Sequence, residues 1–239
     1  MLVAAAVCPA PPLLVPEVAA GAAAELGDAR TACSDAIAVL AAARPDLLVV
    51  VGAAPRGGGY DQGTPGSFAG FGVDLTVALG PRPEEPAPDT AEGPLPTSLA
   101  VGAWLLERAR WGASPLAGVA VADHLEPAAC ALLGTDLAGS AERVAMLVLG
   151  DGSACRTLKA PGYLDERAAA FDAAAGRALG AADTAALAAL DPVLATELQA
   201  AGRAPWQVLA AAAEGAGLDG RLLYEDAPYG VGYFVAAWS

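Results

Sequence analysis

One histidine, His124, and one lysine, Lys159, are all that 239 residues hold of those two types. A single imidazole excludes any metal site that needs two histidines of one chain, the two-histidine, one-carboxylate iron triad among them. The four cysteines, Cys8, Cys33, Cys130 and Cys155, have no Cys-x-x-Cys spacing. That leaves no zinc-ribbon or thioredoxin-type signature, and reduced thiols in a cytoplasmic protein are expected. Thirteen basic residues face 27 acidic ones, a net charge of −14, which argues against nucleic acid or an anionic membrane as partner. No Lys or Arg precedes Arg30 and prolines interrupt the apolar N-terminus, so no signal peptide is expected there. No apolar run reaches the ~18 uninterrupted residues of a membrane span. Neither a Gly-x-Gly-x-x-Gly motif nor a phosphate-binding loop follows a strand, and no Gly-x-Ser-x-Gly elbow or calcium-loop spacing occurs.

What the chain does have is apolar residues, 55% of the total, enough for a large core. The run Val144–Leu149 reads as a strand buried on both faces, followed by the polar turn Gly150-Asp151-Gly152-Ser153. Leu2–Val7 and Leu47–Val51 read the same way, and Val73–Leu79, Gly118–Ala122, Arg221–Tyr224 and Gly232–Ala237 complete the strands. Helical spacing predicts helices over Glu17–Leu26, Asp28–Ala43, Leu95–Trp111, Glu126–Leu133, Leu164–Leu179, Asp183–Ala200 and Pro205–Ala216. The second of these places Ala36, Ile37, Leu40 and Ala41 on one face, and Asp165 and Glu166 fall in the first turn of the fifth. Gly52–Gly72 reads as a long glycine-rich loop, and Pro81–Pro94 as an acidic, proline-rich surface excursion. Alternating strands and helices imply one α/β domain over residues 1–239, with a central, largely parallel sheet, mixed at its end, flanked by helices.

In such a sheet, ligands sit at the carboxyl ends of the strands. The loops there supply Arg56, Tyr60, Asp61, Asp151, Ser153, Lys159, Glu225, Asp226 and Tyr229. Asp151 and Ser153 fit a turn cap, and Ser153 as nucleophile would need His124 as its base. His124 reads more simply as a surface or packing residue. Glu225 and Asp226, beside Tyr229, form an acid/base candidate if burial raises a carboxyl pKa. Lys159 fits a solvated charge beside a helix start.

Four segments carry a resemblance to a known family. CPAPPLLVPE resembles the PHPPLLxPE opening of class III extradiol ring-cleavage dioxygenase B-subunit (LigB-like) proteins, a superfamily that includes the Memo-type proteins. PDLLVVVGAAP resembles their second strand, which ordinarily ends in Ser-Pro-His; LVLGDGSA resembles their GD-x-SH segment; YEDAPYGVGYFVA resembles the closing strands of uncharacterised branches. The likeness runs from Leu2 to Trp238, and APGYLDERAAAFD and ALDPVLATELQAAGRAPWQVL are similar to a compact, alanine-rich bacterial subgroup.

The resemblance implies Fe(II) bound by histidines after the first two strands and by a Glu, with a third histidine as acid/base. The matching positions here are Ala10, Ala54 and Ala154, with Glu225 as the matching carboxylate. An alanine neither ligates a metal nor moves a proton. The expectation is therefore no metal and no cofactor, and an apolar cavity rimmed by Arg56, Tyr60, Asp151, Ser153, Glu225 and Tyr229 that takes a small, partly aromatic ligand. Two other readings stay open: metal-independent chemistry by Glu225, Asp226 or Ser153, and a structural subunit that pairs with another chain. A homodimer or other oligomer is what the resemblance implies for assembly.

Overall fold

Strands aliphatic at nearly every position hold the middle of the sheet, because each is covered by helices on both faces. A computed structural model describes residues 1–81 and 93–239. In chain order the elements are β1 (Leu2–Cys8), α1 (Pro16–Ala19), α2 (Gly27–Ala42), β2 (Leu47–Ala54), β3 (Gly58–Asp61), β4 (Pro65–Ser67), β5 (Thr76–Ala78), α3 (Thr97–Arg108), β6 (Leu116–Ala122), α4 (Pro127–Ala138) and β7 (Val144–Leu149). They continue with α5 (Ala168–Ala181), α6 (Thr184–Ala188), α7 (Pro192–Glu197), α8 (Arg203–Ala212), β8 (Gly220–Asp226) and β9 (Tyr233–Trp238). The main sheet runs β3-β6-β2-β7-β1-β9-β8, and β4 and β5 form a separate hairpin. β6, β2, β7 and β1 are mutually parallel, whereas β3 and β9 pair antiparallel to their neighbours at the two sides. The fold is thus a single α/β domain with a mostly parallel, mixed sheet between helices.

All six residues of β7 are buried, and their side chains alternate between two cores. One core joins Ala6, Cys8, Val50, Leu147 and Val235 to α2 and α3; the other joins Val7, Val51, Val148, Phe234 and Trp238 to α5 and α8. The alanine-rich helices let backbones approach closely. At Gly134 in α4, a methyl group would collide with the Val208 carbonyl of α8. Among the described residues no helix is long and apolar enough to cross a membrane.

Several expected elements differ in extent. The helix expected over Glu17–Leu26 is instead α1 followed by a 3-10 stretch, Ala20–Leu26, because Ala20 takes a positive φ of 48°. The glycine-rich loop contains β3 and β4; β4 forms a local hairpin with β5, whereas β3 pairs with the distant β6, a pairing of which local sequence carries no sign. The strand expected over Val73–Leu79 shrinks to β5. The helix expected over Asp183–Ala200 is two helices, because Pro192 opens α7 with Asp191 as its cap. Asp165 and Glu166 precede α5 and do not occupy its first turn; Asp165 instead binds the Arg167 backbone and guanidinium. Glu225 and Asp226 belong to β8 itself, paired with Phe234 and Tyr233, and do not lie in the following connection. The excursion expected at Pro81–Pro94 falls mostly on residues outside the described ones.

Candidate functional site

The loops after β1 and β7 leave adjacent parallel strands toward opposite faces, one leading to α2 and the other to α5. In open α/β sheets such a divergence at the carboxyl edge forms the crevice in which ligands bind. Asp151, two residues beyond β7, spans it: its Oδ1 accepts a 2.8 Å hydrogen bond from the Ala10 N–H. Oδ2 makes no hydrogen bond to a described residue. Burial pushes this carboxyl up to about 7, and the Ala10 N–H is the only opposing influence. One hydrogen bond is too little to hold a desolvated carboxylate ionised at its ordinary value.

One tyrosine, Tyr233, lies near enough to feel its charge. Tyr233 opens β9, is buried, and has its phenol pushed up by burial first and then by the charge on Asp151. Tyr229 and Tyr224 lie near enough to Tyr233 to raise it further. The Tyr229 hydroxyl is itself buried without a hydrogen-bond partner among the described residues. Burial raises that phenol first, and the Glu25 carboxylate raises it further from nearby, outside good hydrogen-bonding geometry.

On the other side of the β7 loop a polar clamp fixes its path. Ser153 is fully buried, and Asp172 of α5 accepts from both its N–H and its Oγ at 2.8 Å. Arg156 completes the clamp with a 3.0 Å ion pair to Asp172 Oδ2. Gly152 and Gly232 are required at this point, since a methyl on Gly232 would sit 2.5 Å from Asp172 Oδ2 and one on Gly152 2.8 Å from Oδ1. Ser153 is therefore a structural hydroxyl bound to a carboxylate, with no imidazole beside it and no exposed face for a substrate.

The remaining candidates are spread along the edge. Ala10 meets Asp151, but Ala54 ends β2, separated from β1 by β7, and its carbonyl accepts from the Asp123 N–H. Ala154 is buried, with its N–H on the Leu198 carbonyl. Arg56 is exposed, and Tyr60 is half-buried in β3 against the core of the α2 and α3 face. Glu225 and Asp226 are exposed and line a cavity of about 430 Å³ with Arg156, Thr157, Ala227 and Phe234. Glu225 lies over Gly176 of α5, and Asp226 accepts from the Ala227 N–H. Of the predicted rim, Asp151 meets Ala10 and Glu225 lines the separate cavity; Tyr229 lies near Tyr233, while Arg56 and Tyr60 belong to the far side of the sheet, after β2 and in β3. Lys159 is exposed on the loop after β7.

Sequence reasoning missed Asp172 and Tyr233. Asp172 sits in an alanine-rich helix, where a lone carboxylate on a buried face was the available signal. Tyr233 read as an ordinary strand aromatic, and only the pairing of β9 beside β1 carries it to the crevice. An iron centre does not fit these residues, because Ala10, Ala54 and Ala154 offer no donor side chain. Among the described residues no group of three or more His, Cys, Asp or Glu is placed to hold a metal ion.

No protein-family profile matches the chain, and no curated protein sequence matches it either. A solved structure does. The uncharacterized protein JW3007 from Escherichia coli K12 superposes over 99% of this chain and 99% of its own length, with a TM-score of 0.54 and 13% sequence identity. The likeness is one of fold alone.

Proposed function

We propose that this chain is a small-ligand-binding protein built on an extradiol-dioxygenase-like fold, without the iron centre and without ring-cleavage activity. The observation that carries the reading is Asp151, a carboxyl held near neutrality in its pKa at the diverging ends of β1 and β7, with one oxygen making no hydrogen bond to a described residue and Tyr233 nearby. A desolvated polar anchor inside an apolar and aromatic rim is the usual make-up of a small-molecule site. Protonated Asp151 donates to a ligand oxygen, and ionised Asp151 accepts from a ligand hydroxyl. The resemblance supports a hydroxylated aromatic ring as the ligand, and alanines at three positions remove the chemistry that would cleave it.

Catechol is the probe that tests this. Isothermal titration under anaerobic conditions is expected to show saturable binding, weakened roughly tenfold in Asp151→Leu, as loss of a charge-assisted hydrogen bond implies. Addition of Fe(II) and oxygen is expected to leave catechol intact. Absence of binding, or appearance of the ring-opened product, would overturn the reading.

A second reading, metal-independent acid/base catalysis, rests on the same carboxyl. A group titrating near 7 is suited to exchange protons at neutral pH. Solvent exchange of a deuterium label from the acidic carbon of a bound ligand, lost in Asp151→Asn while binding persists, would favour it over simple binding.

A further inference from the structure

A second cavity opens at the same edge, beyond β6, and the crevice does not use it. It encloses about 280 Å³ between Asp123 and His124, which follow β6, and the turn from α7 into α8. Arg203, the first residue of α8, lines it and is only 2% exposed. A guanidinium stays charged at any ordinary pH, so burying one without a counter-charge is costly. The ion pairs among the described residues are Arg156 with Asp172 and Arg167 with Asp165 and Glu197; Arg203 is in none of them. Its partners are neutral oxygens: the carbonyls of Leu125 at 2.5 Å and Asp123 at 2.6 Å, and Gln207 Oε1 at 3.1 Å. These orient the guanidinium without cancelling its charge; the Asp123 carboxylate acts on it from beyond ion-pair distance, and its Nε makes no hydrogen bond to a described residue.

Three further features suit an anion. The N-terminus of α8, a ten-residue helix, adds its positive end at this position. His124 reaches the cavity from the opposite wall, and Ala195, Ala200 and Ala201 make the rest of the lining largely apolar. The turn is rigidly placed: Gly202 donates to the Asp151 carbonyl at 2.7 Å, and Gln199 holds a left-handed φ of 54°. One charge opposes an anion, the exposed Asp123 carboxylate, whose pKa partial desolvation raises against the pull of His124 and Arg203.

We propose that this cavity binds a small organic carboxylate, its charged group on Arg203 and His124 and its apolar body against Ala195, Ala200 and Ala201. The planar fork of a guanidinium matches a carboxylate better than any other common anion of this size. The site is separate from the crevice: Asp151 touches it through a backbone carbonyl, so its side chain plays no part.

Benzoate titrated into the 15N-labelled full chain tests this. The expected result is saturable movement of the backbone amides of 195–203 and of the Arg203 side-chain Nε–H resonance, with no such movement from methyl benzoate, which has the same ring and no charge. Asp123→Asn removes the opposing carboxylate and is expected to tighten benzoate binding roughly threefold; His124→Gln is expected to weaken it by a similar factor. Arg203→Lys keeps the charge but loses the fork, with an expected loss of roughly tenfold. Arg203 also holds two carbonyls in place, so the exposed pair Asp123 and His124 carries the test if that variant does not fold. Equal shifts with methyl benzoate, no saturable shift with benzoate, or affinities indifferent to Asp123 and His124 would each refute the proposal. Asp151→Asn is expected to leave benzoate binding unchanged, which separates failure here from failure of the crevice reading.

Discussion

Replacing Asp151 by Asn should make the protein more stable at pH 8, an unusual outcome for a substitution inside a buried crevice. The folded carboxyl has a pKa of about 7 against an ordinary value of 3.8. At about 1.4 kcal/mol per tenfold change in acidity, the folded state disfavours the ionised form by about 4 kcal/mol. Asp151 is partly reached by solvent, which screens the effect, so about 2 kcal/mol is the more realistic figure. The direction follows from proton linkage. A carboxyl whose folded pKa lies above its unfolded value keeps its proton longer in the native state. Its contribution is fully present below about pH 4 and is lost as pH rises through about 7. The amide that replaces the carboxyl in the variant does not titrate, yet its oxygen still accepts the Ala10 N–H. Guanidinium unfolding at half-unit steps from pH 4 to pH 8 measures the difference. The wild type should lose about 2 kcal/mol relative to the variant across that range, with most of the change complete by pH 7.5. Parallel pH curves for the two proteins would show that Asp151 is already ionised in the fold, and the crevice would lose its anchor.

Two further predictions concern groups that hold the edge together. Asp172→Ala strips three hydrogen bonds from the β7 loop and leaves Arg156 and the Ser153 hydroxyl unpaired, so a loss of about 3–5 kcal/mol in denaturant unfolding is expected. Ser153→Ala should cost only about 1 kcal/mol and leave any ligand binding intact, since that hydroxyl never reaches the crevice; equal costs for the two would contradict the clamp. The four cysteines are all buried, and burial raises the thiols of Cys130 and Cys155, while contact with Cys33 and burial raise Cys8. A thiol reagent such as dithionitrobenzoate should therefore label none within minutes at pH 8 in the native state and four once the chain is unfolded.

The family resemblance read from four short motifs finds no counterpart in a family profile, and a solved structure that shares the fold is 13% identical, so the resemblance is a guide to experiment. Its most useful consequence is negative in kind: side chains at Ala10, Ala54 and Ala154 end at Cβ, whatever their surroundings. The positive assignment of a ligand anchor came from elsewhere, from how far burial disturbs one aspartate.

Much of the architecture follows from local sequence. Leu2–Cys8, Leu47–Ala54 and Val144–Leu149 are aliphatic at nearly every position, and a strand of that kind is stable only with both faces covered, so a helix-flanked, largely parallel sheet was legible. The polar turn at Asp151 was legible for the same reason, because the aliphatic run stops there. Nothing local told which strands would be neighbours. The order that inserts β7 between β2 and β1 brings Asp151 to Ala10 across 141 positions of chain. The same order carries Tyr233 to the crevice and leaves Ala54 outside it. Burial is likewise collective: Asp151 and Glu225 are both carboxylates at strand ends in sequence, yet one is desolvated by three surrounding segments and the other faces water on an edge strand. Arg203 falls between two expected helices in sequence; only the packing of α8 against the end of β6 sets its charge at a cavity where its hydrogen bonds all go to neutral oxygens and no carboxylate pairs with it directly. Composition and periodicity determine which segments must be buried, whereas pKa, pairing and pocket depend on distances between segments far apart in the chain, which the fold alone sets.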